Sequence, residues 1–125
     1  MIGIDIVKIS RIEKMINRFG NRAFRKIFDK DEISLIKHSQ TAAGFFASKE
    51  AVSKALKTGI GKECGFFDIK IHKDKNGAPY FTLKKEIIKK YNIIETSLSI
   101  THEKEYAIAV AIIISSSKKS CKLFH

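Results

Sequence analysis

The sequence has only two cysteines in 125 residues, Cys64 and Cys121. Two are too few for a disulfide framework, and no Cys/His cluster has zinc-site spacing, so both are read as free thiols. Long apolar runs are missing too. The longest, Tyr106–Ile114, falls far short of the ~20 residues that a membrane span needs. The carboxylate of Asp5 stands where a signal peptide would be apolar, so a cytoplasmic protein without a membrane partner is expected. The chain has no internal repeat, no linker, no zinc finger, no clear helix-turn-helix and no RNP-like aromatic motif. Acidic residues are scarce, with 13 Asp+Glu against 24 Lys+Arg and a net charge of +11. That excess attracts an acidic partner, whether a protein, a phosphate-rich small molecule or nucleic acid. An AT-rich genome's preference for lysine would give the same total without any partner.

What remains fits one domain, residues 1–115, since a chain of this size with 44% hydrophobic residues buries about two-thirds of its unfolded surface. Residues 116–125 lose all periodicity and are expected to form a frayed, dispensable tail. Met1–Val7 alternates Ile2, Ile4 and Ile6 with Gly3, Asp5 and Val7, which predicts a strand with the isoleucines in the core and Asp5 on the opposite face. Ser10-Arg-Ile-Glu13 reads as a capping box opening a helix that ends at Gly20, with Ile12, Ile16 and Phe19 inward. Asp29-Lys-Asp-Glu32 caps a second helix that buries Ile33 and Ile36. The stretch Phe45–Leu56 is the middle of a long helix, capped by Ser39 or Thr41 and stopped at Gly59. Its stripe of Phe45, Val52 and Leu56, flanked by Ala47, Ala51 and Ala55, faces the core, and Phe46, Glu50, Ser53, Lys54 and Lys57 point away. A hairpin turns at Asn76-Gly77, between residues 66–72 and 78–83. After a brief helix over 84–92, Thr96–Thr101 pairs with Tyr106–Ile114, whose apolar run implies cover from the long helix on one face and another subunit on the other. The fold class is α+β, a long helix packed on a small antiparallel sheet.

Chemistry-bearing residues gather in three places. Glu50 and Lys54 are one helical turn apart, which by itself is an ordinary surface pair. Thr58-Gly-Ile-Gly61 follows directly, either as a plain helix stop or as backbone amides free to approach a phosphate. Residues 8–26 hold seven Lys/Arg and one acid, a local net charge of +6. In that stretch, arginines beside the apolar Met15 and Phe24 suit an acidic helix, because guanidinium forks bind carboxylates bidentately; a phosphate backbone would suit them too.

Three segments stand in order: Gly3-Ile-Asp5, Phe46-Ala-Ser-Lys-Glu50-Ala-Val-Ser-Lys54-Ala and Leu98-Ser-Ile-Thr-His102-Glu-Lys-Glu-Tyr-Ala107. Together with Thr58-Gly-Ile-Gly61 and Asn76-Gly-Ala-Pro79, they resemble the holo-acyl-carrier-protein synthases, the short 4'-phosphopantetheinyl transferases, over roughly residues 1–114. The resemblance implies Mg²⁺-dependent transfer of the phosphopantetheine arm of coenzyme A to a serine of apo-acyl carrier protein, releasing adenosine 3',5'-bisphosphate, in fatty acid biosynthesis. It implies a homotrimer with sites between subunits. Asp5 and Glu50 would be metal ligands and, with Lys54, the catalytic set, Glu50 or a water it orients serving as general base. Lys49, Lys54, Gly61, Pro79, Thr101 and His102 would contact coenzyme A. Arg11, with Met15, Arg18, Arg22 and Arg25 extending the surface, would bind the carrier's acidic helix. Many members carry an arginine for the nucleotide's phosphates where this chain has Phe45, which leaves that grip to Lys49, Lys54, Lys57 or Lys37. The alternative is a basic adaptor, binding acidic proteins or nucleic acid without catalysis.

Overall fold

In the computed structural model, which describes residues 1–116, β1 (Ile2–Lys8) runs into α1 (Ile9–Phe19). Two short helices follow, α2 (Asn21–Arg25) and α3 (Lys30–Leu35), and then the 17-residue α4 (Ser39–Ala55). A 3₁₀ turn at Phe66–Asp68 leads into β2 (Ile69–Lys73) and β3 (Pro79–Leu83). Beyond them come α5 (Lys85–Tyr91), β4 (Ile93–His102) and β5 (Tyr106–Ser115). Three strands form an antiparallel sheet in the order β1-β5-β4, and β2 pairs with β3 separately. The predicted α+β class and the pairing of the strands are what the chain adopts.

Small residues decide how closely α4 lies on the sheet. Ala51 and Ala55 on the helix, and Ala107, Ala109 and Ala111 on β5, are buried to within 1% of full cover. Gly3 of β1 pairs with Ala111, and Asp5 with Ala109. A Cβ on Gly3 would stand 1.9 Å from the Ala51 carbonyl oxygen and 2.6 Å from the Ala55 nitrogen. The backbones touch here only because β1 has no side chain at that point. This contact inverts the faces expected for β1. Gly3, Asp5 and Val7 turn toward α4, whereas Ile2, Ile4 and Ile6 are 68%, 60% and 57% exposed. Alternation was read correctly, but the apolar half of it is not the half that fits beneath the helix. With Ile112 and Ile114 of β5 also exposed, the outer sheet face is an uncovered apolar surface, larger than the single exposed side chains ordinary on a monomer.

Helix ends depart from expectation in places. No Ser10 cap forms: α1 starts at Ile9, whose N–H donates to the Glu105 carbonyl at 2.8 Å. Gly20 ends it with φ 62°. Phe19 is exposed, and Met15 packs on the core beside Ile16. Asp29 and Glu32 form the expected capping box of α3. Neither Ser39 nor Thr41 caps α4, which begins after His38, and the Ser39 hydroxyl reaches Glu13 instead, at 3.4 Å. Because α3, the 3₁₀ turn and β2 close over its other side, α4 is enclosed nearly all round, and Phe46 and Ser53 are buried rather than outward. The hairpin turn is pinned by Asp74, whose carboxylate accepts from the Asn76 and Ala78 N–H groups. The expected tail lies outside the described residues apart from Ser116, whose N–H donates to Asn92 O. No helix among the described residues is long and apolar enough to cross a membrane.

Candidate active site

Close contact between β1 and α4 brings two carboxylates distant in sequence, Asp5 and Glu50, into one electrostatic neighbourhood. Asp5, 14% exposed, projects from the helix-facing side of β1, and its Oδ1 accepts from Lys54 Nζ at 2.7 Å. Lys54 is half exposed and also lies 3.4 Å from the Ile4 carbonyl. Glu50 is one turn earlier on the same helix. Its partial burial and then the Asp5 charge raise its pKa above the ordinary glutamate value, while Lys54 and Arg11 act in the opposite sense. Two carboxylates facing one another across this contact, with a cation at their edge, are a donor set suited to a hard divalent ion completed by water. Among the described residues no group of three or more His, Cys, Asp or Glu side chains could hold a metal. An ion held by Asp5 and Glu50 would therefore need water or substrate oxygens to complete its shell.

Lys49 does not belong to that surface. It is fully buried, and its ammonium donates to Ile27 O, Glu32 Oε1 and Phe66 O at 2.8, 2.8 and 2.9 Å. All three of its protons are used internally, which removes it as a coenzyme A contact. The reason is helical phase: Lys49 precedes Glu50, and 100° of rotation turns it under α3 rather than toward β1. Cys64 is similarly inert, its thiol pushed up to about 11 by burial and by Asp68.

A cavity of about 170 Å³ opens where α4 passes the end of β4 and the hairpin. His102 and Pro79, both expected from the sequence, line it with Gly44, Phe45, Lys73 and Gly77. Gly44 leaves room: a Cβ there would meet an Ile100 methyl at 2.9 Å. Thr101 does not join His102, because neighbours on a strand point to opposite faces, and Thr101 is exposed on the outer side opposite Ile108. Gly61 lies in the loop after α4, its N–H on Cys64 O, with open space where a Cβ would be. The cation missed from the sequence is Lys73, whose Nζ is 5.9 Å from the centroid of the Phe45 ring. Its signal was its position directly after the expected strand 66–72, across the turn from Pro79; the observed strand runs one residue further, to Lys73.

Lys57 has φ 64°, a left-handed conformation at a residue with a side chain. It follows the last turn of α4, where the Thr58 and Gly59 N–H groups both return to Ser53 O. Glycine is the residue suited to that position, so Lys57→Gly should stabilise the fold by about 1 kcal/mol. A thermal melt checks it, and an unchanged or lower midpoint would mean the Lys57 side chain makes a compensating contact.

The expected docking residues fall in three places. Met15, Arg18 and Arg22 line an open groove of about 550 Å³ between α1 and α2. Arg11 lies nearer the carboxylates, its guanidinium carbon 5.6 Å from the Phe46 ring centroid. Arg25 faces a separate recess with Lys30 and Phe67, so it does not extend the same groove.

The helix carrying Glu50 and Lys54 thus lies on the strand carrying Asp5, and nearer its N-terminus the same helix lines the cavity that holds Lys73 and His102. The family model for the 4'-phosphopantetheinyl transferase superfamily matches residues 1–111, and the chain belongs to that superfamily. The holo-acyl-carrier-protein synthase of Sulfurimonas denitrificans is 56% identical over 117 residues, covering 94% of this chain and 97% of its own. The crystal structure of the Helicobacter pylori holo-acyl-carrier-protein synthase in complex with coenzyme A is similar at a TM-score of 0.89 and 50% identity, over 91% of this chain and 100% of that one. That of the Bacillus anthracis synthase in complex with coenzyme A (3',5'-ADP) has a TM-score of 0.77 at 39% identity, over 92% and 96%. Within the superfamily the chain stands among the holo-acyl-carrier-protein synthases, which are enzymes, and the adaptor alternative is set aside.

Proposed function

We propose that this chain moves the 4'-phosphopantetheine arm of coenzyme A onto a serine of apo-acyl carrier protein, with Mg²⁺ bound by Asp5 and Glu50. The observation that carries the reading is the Asp5–Glu50–Lys54 arrangement across the β1–α4 contact. In the reaction the carrier's serine oxygen forms a bond to the phosphorus that bears the pantetheine. The bridging P–O bond breaks, and adenosine 3',5'-bisphosphate leaves. Magnesium at the two carboxylates would supply charge neutralisation for the pyrophosphate. Glu50 takes the serine proton directly or through water. Lys54 offers its ammonium to the leaving phosphate. His102 and Pro79 receive the nucleotide in their shared cavity, and Lys73 over the Phe45 ring stands in for the family arginine. Gly61, in the loop after α4, would contact coenzyme A from beyond the end of that helix.

The uncovered isoleucines of the outer sheet face support a homotrimer, in which Thr101, on that same face, would serve a neighbouring protomer's nucleotide. The working compartment in this reading is the cytoplasm, and the pathway is fatty acid biosynthesis. Arg11 and the groove of Met15, Arg18 and Arg22 would dock the acidic helix of the carrier, with Arg25 contributing from the far side of α2. Arg11→Glu should then raise KM for the carrier by at least about tenfold, with little change for coenzyme A. Steady-state kinetics in each substrate check this, and equal losses in both would remove Arg11 from docking. The reaction itself is tested by intact-mass spectrometry of apo-carrier incubated with enzyme, coenzyme A and Mg²⁺. One added arm per carrier is expected. An unmodified carrier that a known synthase converts would defeat the proposal.

A further inference from the structure

Lys49 has no part in the chemistry above, yet its burial is demanding. Removing an ion pair from water costs several kcal/mol, and well-packed apolar residues often do as well for stability. Here the pair is saturated. Lys49 spends its three protons on Ile27 O, Glu32 and Phe66 O, and the Glu32 carboxylate also accepts from the Asp29 and Ile71 N–H groups at 2.9 and 2.8 Å. The two carbonyls are informative. Ile27 closes the turn after α2, its N–H and that of Phe28 both returning to Phe24 O, so its carbonyl belongs to the turn that directly follows the helix bearing Arg22 and Arg25. Phe66 sets its ring 5.8 Å from that of Phe46, the ring over which the Arg11 guanidinium lies. The turn after α2 and the Phe66 ring that backs Phe46 are therefore both tied, through backbone carbonyls, to a single buried ammonium.

We propose that Lys49, paired with Glu32, is a positioning residue for the docking surface. It holds α2, and the Phe66 ring that backs Phe46 and Arg11, in place against the helix that carries Glu50, and so governs use of the acidic carrier rather than of coenzyme A. This rests on the transferase reading, and the same assays separate the two: absent turnover by the unaltered enzyme overturns the reaction, whereas the ratio of KM effects in the variant tests the positioning. Lys49→Met alone would strand Glu32 without its partner, so the variant is Lys49→Met with Glu32→Met, assayed where circular dichroism and a cooperative melt show it folded. KM for apo-carrier rises at least tenfold, KM for coenzyme A stays within twofold, and kcat at saturating carrier stays within threefold. An unchanged carrier KM, or equal rises for both substrates, overturns the proposal. A second measurement uses the unaltered enzyme. Saturating apo-carrier slows hydrogen exchange of the Asp29 and Ile71 amides, both of which end on Glu32, at least threefold, and coenzyme A alone does not. Exchange unaffected by the carrier, or slowed as much by coenzyme A, overturns it equally.

Discussion

Glu50→Ala lowers kcat/KM for transfer by about 10³-fold or more, the loss expected when a positioned base is removed together with a metal carboxylate. Carrier affinity stays within about twofold, because the docking residues of α1 and α2 are untouched and an alanine on α4 keeps the helix. The two readouts separate a chemical role from a folding defect. Normal turnover in this variant would take Glu50 out of the mechanism, and a parallel loss of carrier binding would make it a docking residue.

Gly3→Ala is the second large effect, and it acts through shape. A methyl 1.9 Å from the Ala51 carbonyl oxygen cannot be accommodated by a side-chain rotation, since the atoms it meets are helix backbone. Either β1 leaves α4 or both shift, at a cost of about 3 kcal/mol or more, lowering the melting midpoint by roughly 10 °C in a chain of this length. Activity falls further than stability alone accounts for, because Asp5 rides on the same strand and moves away from Glu50. Gly61→Ala is the control: nothing stands within 4 Å of that Cβ, and its melting midpoint should match that of the parent. A melt and a turnover assay on both variants decide the matter, and a stable, active Gly3→Ala would contradict the close packing from which the site is built.

The same glycine explains where the sequence misled. Alternation in Met1–Val7 identified the strand and set Asp5 opposite the isoleucines, both of which hold. It did not say which face meets the helix. Large apolar side chains ordinarily mark the core, but a helix lying directly on strand backbone needs glycine and alanine beneath it, and the isoleucines are left for a different surface. Ala107, Ala109 and Ala111 carried the matching signal on β5, legible only once the two strands are known to be neighbours. Lys49 was misjudged for a related reason. Periodicity finds the apolar stripe of a helix but not a buried cation, whose partners Ile27, Glu32 and Phe66 come from other parts of the chain. The Asp29–Glu32 capping box and the Asn76-Gly77 turn were legible because each is complete within a few residues. Asp5, Glu50, Lys54 and His102 were singled out by resemblance to a family. Their local spacing alone would have left Glu50 and Lys54 as a surface pair.

The account depends on Asp5 and Glu50 jointly holding one divalent cation, and Mn²⁺ titration followed by electron paramagnetic resonance measures that most directly. With coenzyme A present, the unaltered enzyme should bind about one ion per active site, and Asp5→Asn and Glu50→Gln should each weaken binding by at least tenfold. Affinity retained in either variant would contradict a shared site.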